Sequence, residues 1–87
     1  MAVRIAIELA LSESTDFDSL IGIEEGLADV LKGEGGVEVD GHDIGQGKFS
    51  IYVRSEAPPA PVIGRIRAYL EFRGLLDQAT IAERPLA

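Results

Sequence analysis

Val3, Ile5, Ile7, Leu9 and Leu11 occupy every second position at the start of the chain, with Arg4, Ala6, Glu8 and Ala10 between them. A period of two over nine residues is the signature of a strand with one buried face. After a polar break at residues 12–16 the period changes. Leu20, Ile23, Leu27, Val30 and Leu31 recur at three- and four-residue spacing, which predicts an amphipathic helix, with Phe17 anchoring its first turn. Thr15 or Asp16 supplies its N-cap, Lys32 closes it, and Gly33, Gly35 and Gly36 stop it.

Val37 and Val39 alternate with Glu38 and Asp40 in a short second strand. Gly41 to Lys48 reads as a turn region with three glycines, and Phe49, Ile51 and Val53 alternate with Ser50, Tyr52 and Arg54 in a third strand. The expected hairpin therefore has a connection longer than the tight two-residue form. Pro58, Pro59 and Pro61 fit the first turn of a second helix, where a missing N–H costs nothing. Val62, Ile63, Ile66, Tyr69, Leu70 and Arg73 continue at helical spacing up to Gly74, and Gln78 to Arg84 alternates as a fourth strand closed by Pro85. Strand, helix, strand, strand, helix, strand is the split βαβ order. It predicts a single α+β domain over residues 1–87 with a ferredoxin-like βαββαβ fold: a four-stranded antiparallel sheet and two helices on one face. Right-handed crossovers put the first and third strands at the centre.

Composition narrows the class of function. Eighty-seven residues suit one domain, and forty apolar residues, twenty-four of them Val, Ile or Leu, exclude a disordered acidic tail. With no cysteine, disulfides and thiolate chemistry are excluded. Charges at Arg4 and Glu8 break the apolar N-terminus, so neither a signal peptide nor a membrane span is expected, and a cytoplasmic setting fits. The net charge of −7 argues against binding phosphate backbones through bulk charge, so neither nucleic acid nor membrane is expected as a partner. That charge is lopsided. Up to Asp43 the chain holds eleven acids and two bases; beyond it, four acids and six bases. An oriented, salt-sensitive contact over residues 13–43 is the resulting expectation.

Asp40, His42 and Asp43 supply two carboxylates and the only imidazole within one tetrapeptide. Three ligands so close in a turn rarely converge on one ion, and the twelfth position of an EF-hand counted from Asp40 is Ile51 rather than Glu. Neither a metal nor another cofactor is predicted. Gly41, Gly45 and Gly47 join strand to strand rather than strand to helix, so they mark a hairpin and not a phosphate loop. Gly22 and Gly26 lie on one side of the first helix, which predicts close packing on the sheet or the other helix, with the approach of a partner helix as the alternative. Arg65 and Arg67, two apart on the second helix, share no face, so with Arg73 they read as ordinary exposed charges rather than an anion patch. No nucleophilic constellation emerges, so no catalytic residue is assigned and the chain is not read as an enzyme.

The stretch from Val37 to Val53, with Asp40-Gly41-x-x-Ile44-Gly45-x-Gly47-x-Phe49 at its centre, resembles the central hairpin of a group of short uncharacterised bacterial proteins. The resemblance implies a small ferredoxin-like protein and carries no functional residue with it.

The helix-free sheet face collects Arg4, Ala6, Glu8 and Ala10, then Ser50, Tyr52 and Arg54, then Thr80, Ala82 and Arg84. Tyr and Arg are the side chains that most often anchor interfaces. The sequence thus favours a non-enzymatic interaction module, homodimeric, using Arg4, Glu8, Tyr52 and Arg54. One alternative is a regulatory domain that senses a small molecule or metal through the 40–47 loop, with Asp40, His42 and Asp43. Another is an acidic protein that blocks a basic partner.

Overall fold

The computed structural model describes residues 2–12 and 15–86. Its elements run β1 (Val3–Ala10), α1 (Phe17–Leu31), β2 (Val37–Gly45), β3 (Lys48–Ser55), α2 (Pro59–Phe72), one turn of 3-10 helix (Leu76–Gln78) and β4 (Ala79–Pro85). The strands form one antiparallel sheet in the order β2-β3-β1-β4. This is the ferredoxin-like βαββαβ arrangement, with the two most regularly alternating strands at its centre.

Alternation translates directly into packing. Ile5, Ile7 and Leu9 of β1 and Phe49, Ile51 and Val53 of β3 are buried on the helix-bearing face. Leu20, Ile23, Leu27 and Leu31 of α1 and Val62, Ile66, Tyr69 and Leu70 of α2 close over them. Val30, expected in the core stripe, is 37% exposed. Leu31, four residues after Leu27, takes the inward position, and one residue of helix turns Val30 about 100° away.

Asp16 is the N-cap of α1, accepting the Ser19 N–H at 2.7 Å, whereas Thr15 is engaged by Ser12. Pro59 begins α2. That helix ends in a paired motif: the Leu75 N–H reaches the Leu70 carbonyl, the Gly74 N–H reaches that of Glu71, and Gly74 takes φ +70°.

The hairpin departs from the expected long loop. β2 continues to Gly45, which pairs with Lys48, so the connection is the two-residue turn Gln46-Gly47. Both turn residues have positive φ (52° and 75°), as a primed turn requires. Gln-Gly is a weaker signal for this turn than Asn-Gly. The glycines that looked like breakers are absorbed within the strand, and a bulge shifts the register between Val39 and Gly41. Gly41 has φ +120° there, a backbone conformation open to glycine.

Candidate interaction site

The bulge at Asp40 decides where the suggestive tetrapeptide points. Before it, Val37 and Val39 pair with Ser55 and Val53 and face the helices. After it the parity reverses. His42 pairs with Ile51 and turns to the helix side, while Gly41 and Asp43 pair with Tyr52 and Ser50 on the open side. Asp40 also lies on the open side, its Oδ2 3.7 Å from Arg4 Nη2. The structure therefore does not bring Asp40, His42 and Asp43 together, and the 40–47 segment is mostly strand rather than loop.

His42 instead belongs to the seam between β2 and α1. Its Nδ1 is 2.8 Å from Glu24 Oε1, an imidazole N–H donating to a carboxylate. Its ring lies 5.3 Å from that of Phe49 and edge-on to Phe17 at 6.2 Å. Among the described residues no group of three or more His, Asp or Glu is arranged to hold a metal ion.

Strand order and register lay out the open face as rungs. One rung reads Glu38, Arg54, Arg4, Arg84 from β2 to β4; the next Gly41, Tyr52, Ala6, Ala82; the next Asp43, Ser50, Glu8, Thr80. A short final rung holds Gly45, Lys48 and Ala10. Same-face rungs are about 6.7 Å apart and adjacent strands about 4.8 Å. All four expected site residues, Arg4, Glu8, Tyr52 and Arg54, share this face, as strand parity required.

The charges here are ordered. Arg54, Arg4 and Arg84 stand directly opposite one another across three strands, an arrangement of like charges that weakens a sheet locally. Arg4 eases it by reaching over Tyr52, its guanidinium 5.3 Å from the ring centroid, toward Asp40. Arg54 leans to Glu56 at 3.7 Å, and Lys48 meets Glu8 at 3.3 Å. These pairs are exposed and worth about 0–1 kcal/mol each. The strands set four acids (Glu8, Glu38, Asp40, Asp43) and four bases (Arg4, Lys48, Arg54, Arg84) on this face, and Glu56, paired with Arg54 at its end, brings its balance to −1. Ten acids and four bases remain elsewhere, so −6 of the −7 belongs to the rest of the chain. The acidic flank expected over residues 13–43 thus divides: its strand acids are balanced on the open face, and α1 keeps the excess. Glu13, at the head of that flank, lies outside the described residues.

On the other side of the sheet one contact joins the helices. The Tyr69 hydroxyl donates to the Ile23 carbonyl at 2.8 Å and accepts from Arg73 Nη1 at 3.1 Å. Burial pushes the Tyr69 phenol above its usual range, and the nearby Arg73 guanidinium opposes the shift. Gly26 makes room, since a Cβ there would stand 2.3 Å from that hydroxyl. The expected close packing is therefore real at Gly26. It is absent at Gly22, where a Cβ would meet nothing within 4 Å. Arg65 pairs with Glu34, a partner invisible from spacing alone.

No family model and no curated protein matches this chain. Solved structures match over nearly its full length. Rv0793 from Mycobacterium tuberculosis superposes with a TM-score of 0.60 at 14% identity, covering 100% of this chain and 97% of that one. The de novo designed protein Foldit4 gives 0.59 at 17% identity, over 95% of this chain and 91% of that one. The de novo designed protein Ferredog-Diesel gives 0.56 at 16% identity, over 98% and 85%. These likenesses define the class, a ferredoxin-like α+β protein, and at such identities they show the fold alone. No helix is long and apolar enough to cross a membrane, among the described residues.

Proposed function

We propose that this protein is a non-enzymatic interaction module that forms a homodimer, two copies meeting through their open sheet faces. One observation carries the reading: the open face holds only −1 of the charge in a chain of −7. Two equally charged copies repel, and that repulsion is least where each presents a face with little net charge. The order of the charges adds direction. A two-fold axis laid across the strands at the Tyr52–Ala6 rung sets Arg4 opposite Glu8 of a second copy, and Glu8 opposite that copy's Arg4. Ala6, Ala82 and Gly41 keep the middle rung low for close approach, and Tyr52 supplies an amphipathic anchor. The sheet edges are poorer candidates, because the bulge at Asp40 interrupts β2 and Pro85 lacks a donor on β4.

Light scattering combined with size exclusion tests this. The expected result is a mass of twice the monomer that falls as salt is raised. The double substitution Tyr52→Glu, Arg54→Glu should give a monomer with an unchanged circular dichroism spectrum, since neither side chain lies in the core. A monomeric native protein at high concentration overturns the reading, and an unchanged mass for the variant places the interface on another surface.

A further inference from the structure

Asp40 and Gly41 form the only Asp-Gly pair in the chain, which has no asparagine. The pair sits at the bulge of β2, an edge strand of the sheet. Val39 faces Val53 and Gly41 faces Tyr52, so Asp40 is the extra residue, with no counterpart in register on β3. An extra residue interrupts the ladder locally, and an edge strand has no second neighbour to hold it. This segment therefore opens more readily than the central strands. The Asp40 side chain is 45% exposed, and its one ion pair among the described residues, 3.7 Å to Arg4, is too weak to immobilise it. Gly41 has φ +120°, and a Cβ built there would meet nothing within 4 Å, so no side chain crowds that side of the link. The other aspartates lack this combination. Asp16 is held by the Ser19 N–H, Asp18 and Asp29 lie within α1, Asp43 precedes the β-branched Ile44, and Asp77 lies in the 3-10 turn.

We infer that Asp40-Gly41 is a self-modifying site, at which aspartate converts to isoaspartate in the folded protein. The Gly41 amide nitrogen attacks Asp40 Cγ. The N–Cγ bond forms, the amide proton and the carboxyl hydroxyl leave as water, and a succinimide ring closes. Water then adds at one of the two ring carbonyls. Addition at Cγ restores aspartate. Addition at the Asp40 main-chain carbon breaks its bond to nitrogen, so the chain runs on through Cβ and Cγ and the carboxylate stays on Cα. No oxidant or cofactor enters, and glycine is the residue whose nitrogen is least hindered. The product gains one methylene in the backbone of β2. Its carboxylate leaves the position that meets Arg4, and His42, two residues on, is displaced from Glu24. The inference does not rest on the sheet-face dimer, because the chemistry needs one chain only.

Ageing the native protein for weeks at physiological temperature and pH tests it, with a parallel sample unfolded in urea. Isoaspartate is read by methyl transfer from S-adenosylmethionine, catalysed by an isoaspartyl carboxyl methyltransferase. Trypsin releases residues 33–48 as one peptide holding Asp40 and Asp43, and backbone fragmentation in the mass spectrometer tells the two apart. The native sample should accumulate isoaspartate at Asp40 and not at Asp43, with a transient species lighter by one water. Asp40→Glu keeps the charge but requires a larger ring, and should abolish the signal. Asp40→Asn should accelerate it, because ammonia leaves more readily than water. Asp40 is exposed, so both variants should fold, and circular dichroism melts check this. In the isomerised fraction, separated by ion exchange, the His42 ring resonances should shift. Isoaspartate in the urea sample alone, or in neither sample, overturns the proposal. So do equal amounts at Asp43, a signal that survives Asp40→Glu, an Asp40→Asn variant that stays unchanged, or an isomerised fraction with unshifted His42.

Discussion

The two sides of the sheet solve the same problem differently. The open side is polar, nearly neutral and held by exposed pairs such as Glu8–Lys48 and Arg4–Asp40. The helix side is apolar beneath, acidic along α1, and locked by a buried hydroxyl between Ile23 and Arg73. Glu8 and Asp40 on the open side are held by bases on flexible, exposed arms, so their loss is cheap. A side chain at the helix seam has partners fixed by packing, so its loss leaves a gap or an unmet donor. The side of the sheet, more than residue type, sets how much a position matters.

The sharpest way to break this comparison is at the two helix glycines. Gly26→Ala drives a methyl into the Tyr69 hydroxyl and should destabilise the protein by about 1–3 kcal/mol, as overpacking in a core does. Gly22→Ala, four residues earlier with open space around it, should stabilise by about 0.5–1 kcal/mol. Urea unfolding of both variants measures the difference, and equal effects would mean that the Tyr69 lock is not formed.

A smaller contrast lies within β2. His42→Ala removes the bond to Glu24 and the ring contacts with Phe17 and Phe49, and should cost about 1 kcal/mol. Asp43→Ala, one residue on but facing the open side, should stay within about 0.5 kcal/mol of the parent. Comparable losses at the two sites would put the bulge elsewhere.

The smallest effect is the pH dependence of the α1 cap. Accepting the Ser19 backbone N–H holds the Asp16 carboxyl below the ordinary carboxylate range. A group whose pKa is lower in the folded state contributes stability that is full above its unfolded value and is lost as pH falls through the folded one. Thermal melts from neutral pH down into the acid range should therefore fall less steeply for Asp16→Asn than for the parent.

Much of this was legible in the sequence. The parity of β1 and β3 assigned Arg4, Glu8, Tyr52 and Arg54 to one face, because alternation in a strand is a local rule. The helix stripe located the core of α1 but misplaced Val30, since periodicity defines the stripe's centre better than its edges. The Asp40–His42–Asp43 cluster misled for a different reason. Glycines that break a strand and glycines that bulge one look alike in a sequence, and Gln-Gly is a faint sign of a primed turn. The lock at Tyr69 left a trace, a helical glycine, without its partner.

By itself the sequence determined the order of elements, the ferredoxin-like topology and the membership of the central sheet faces. All of these follow from short-range periodicity and the handedness of connections. Only the tertiary structure decided that His42 turns to the helices while Asp40 and Asp43 do not. One residue gained in β2 reverses every side chain beyond it, and only pairing with β3 reveals that gain. The structure also left the open face nearly neutral and set the negative excess elsewhere, because charge is summed over surfaces and strands far apart in the chain share one.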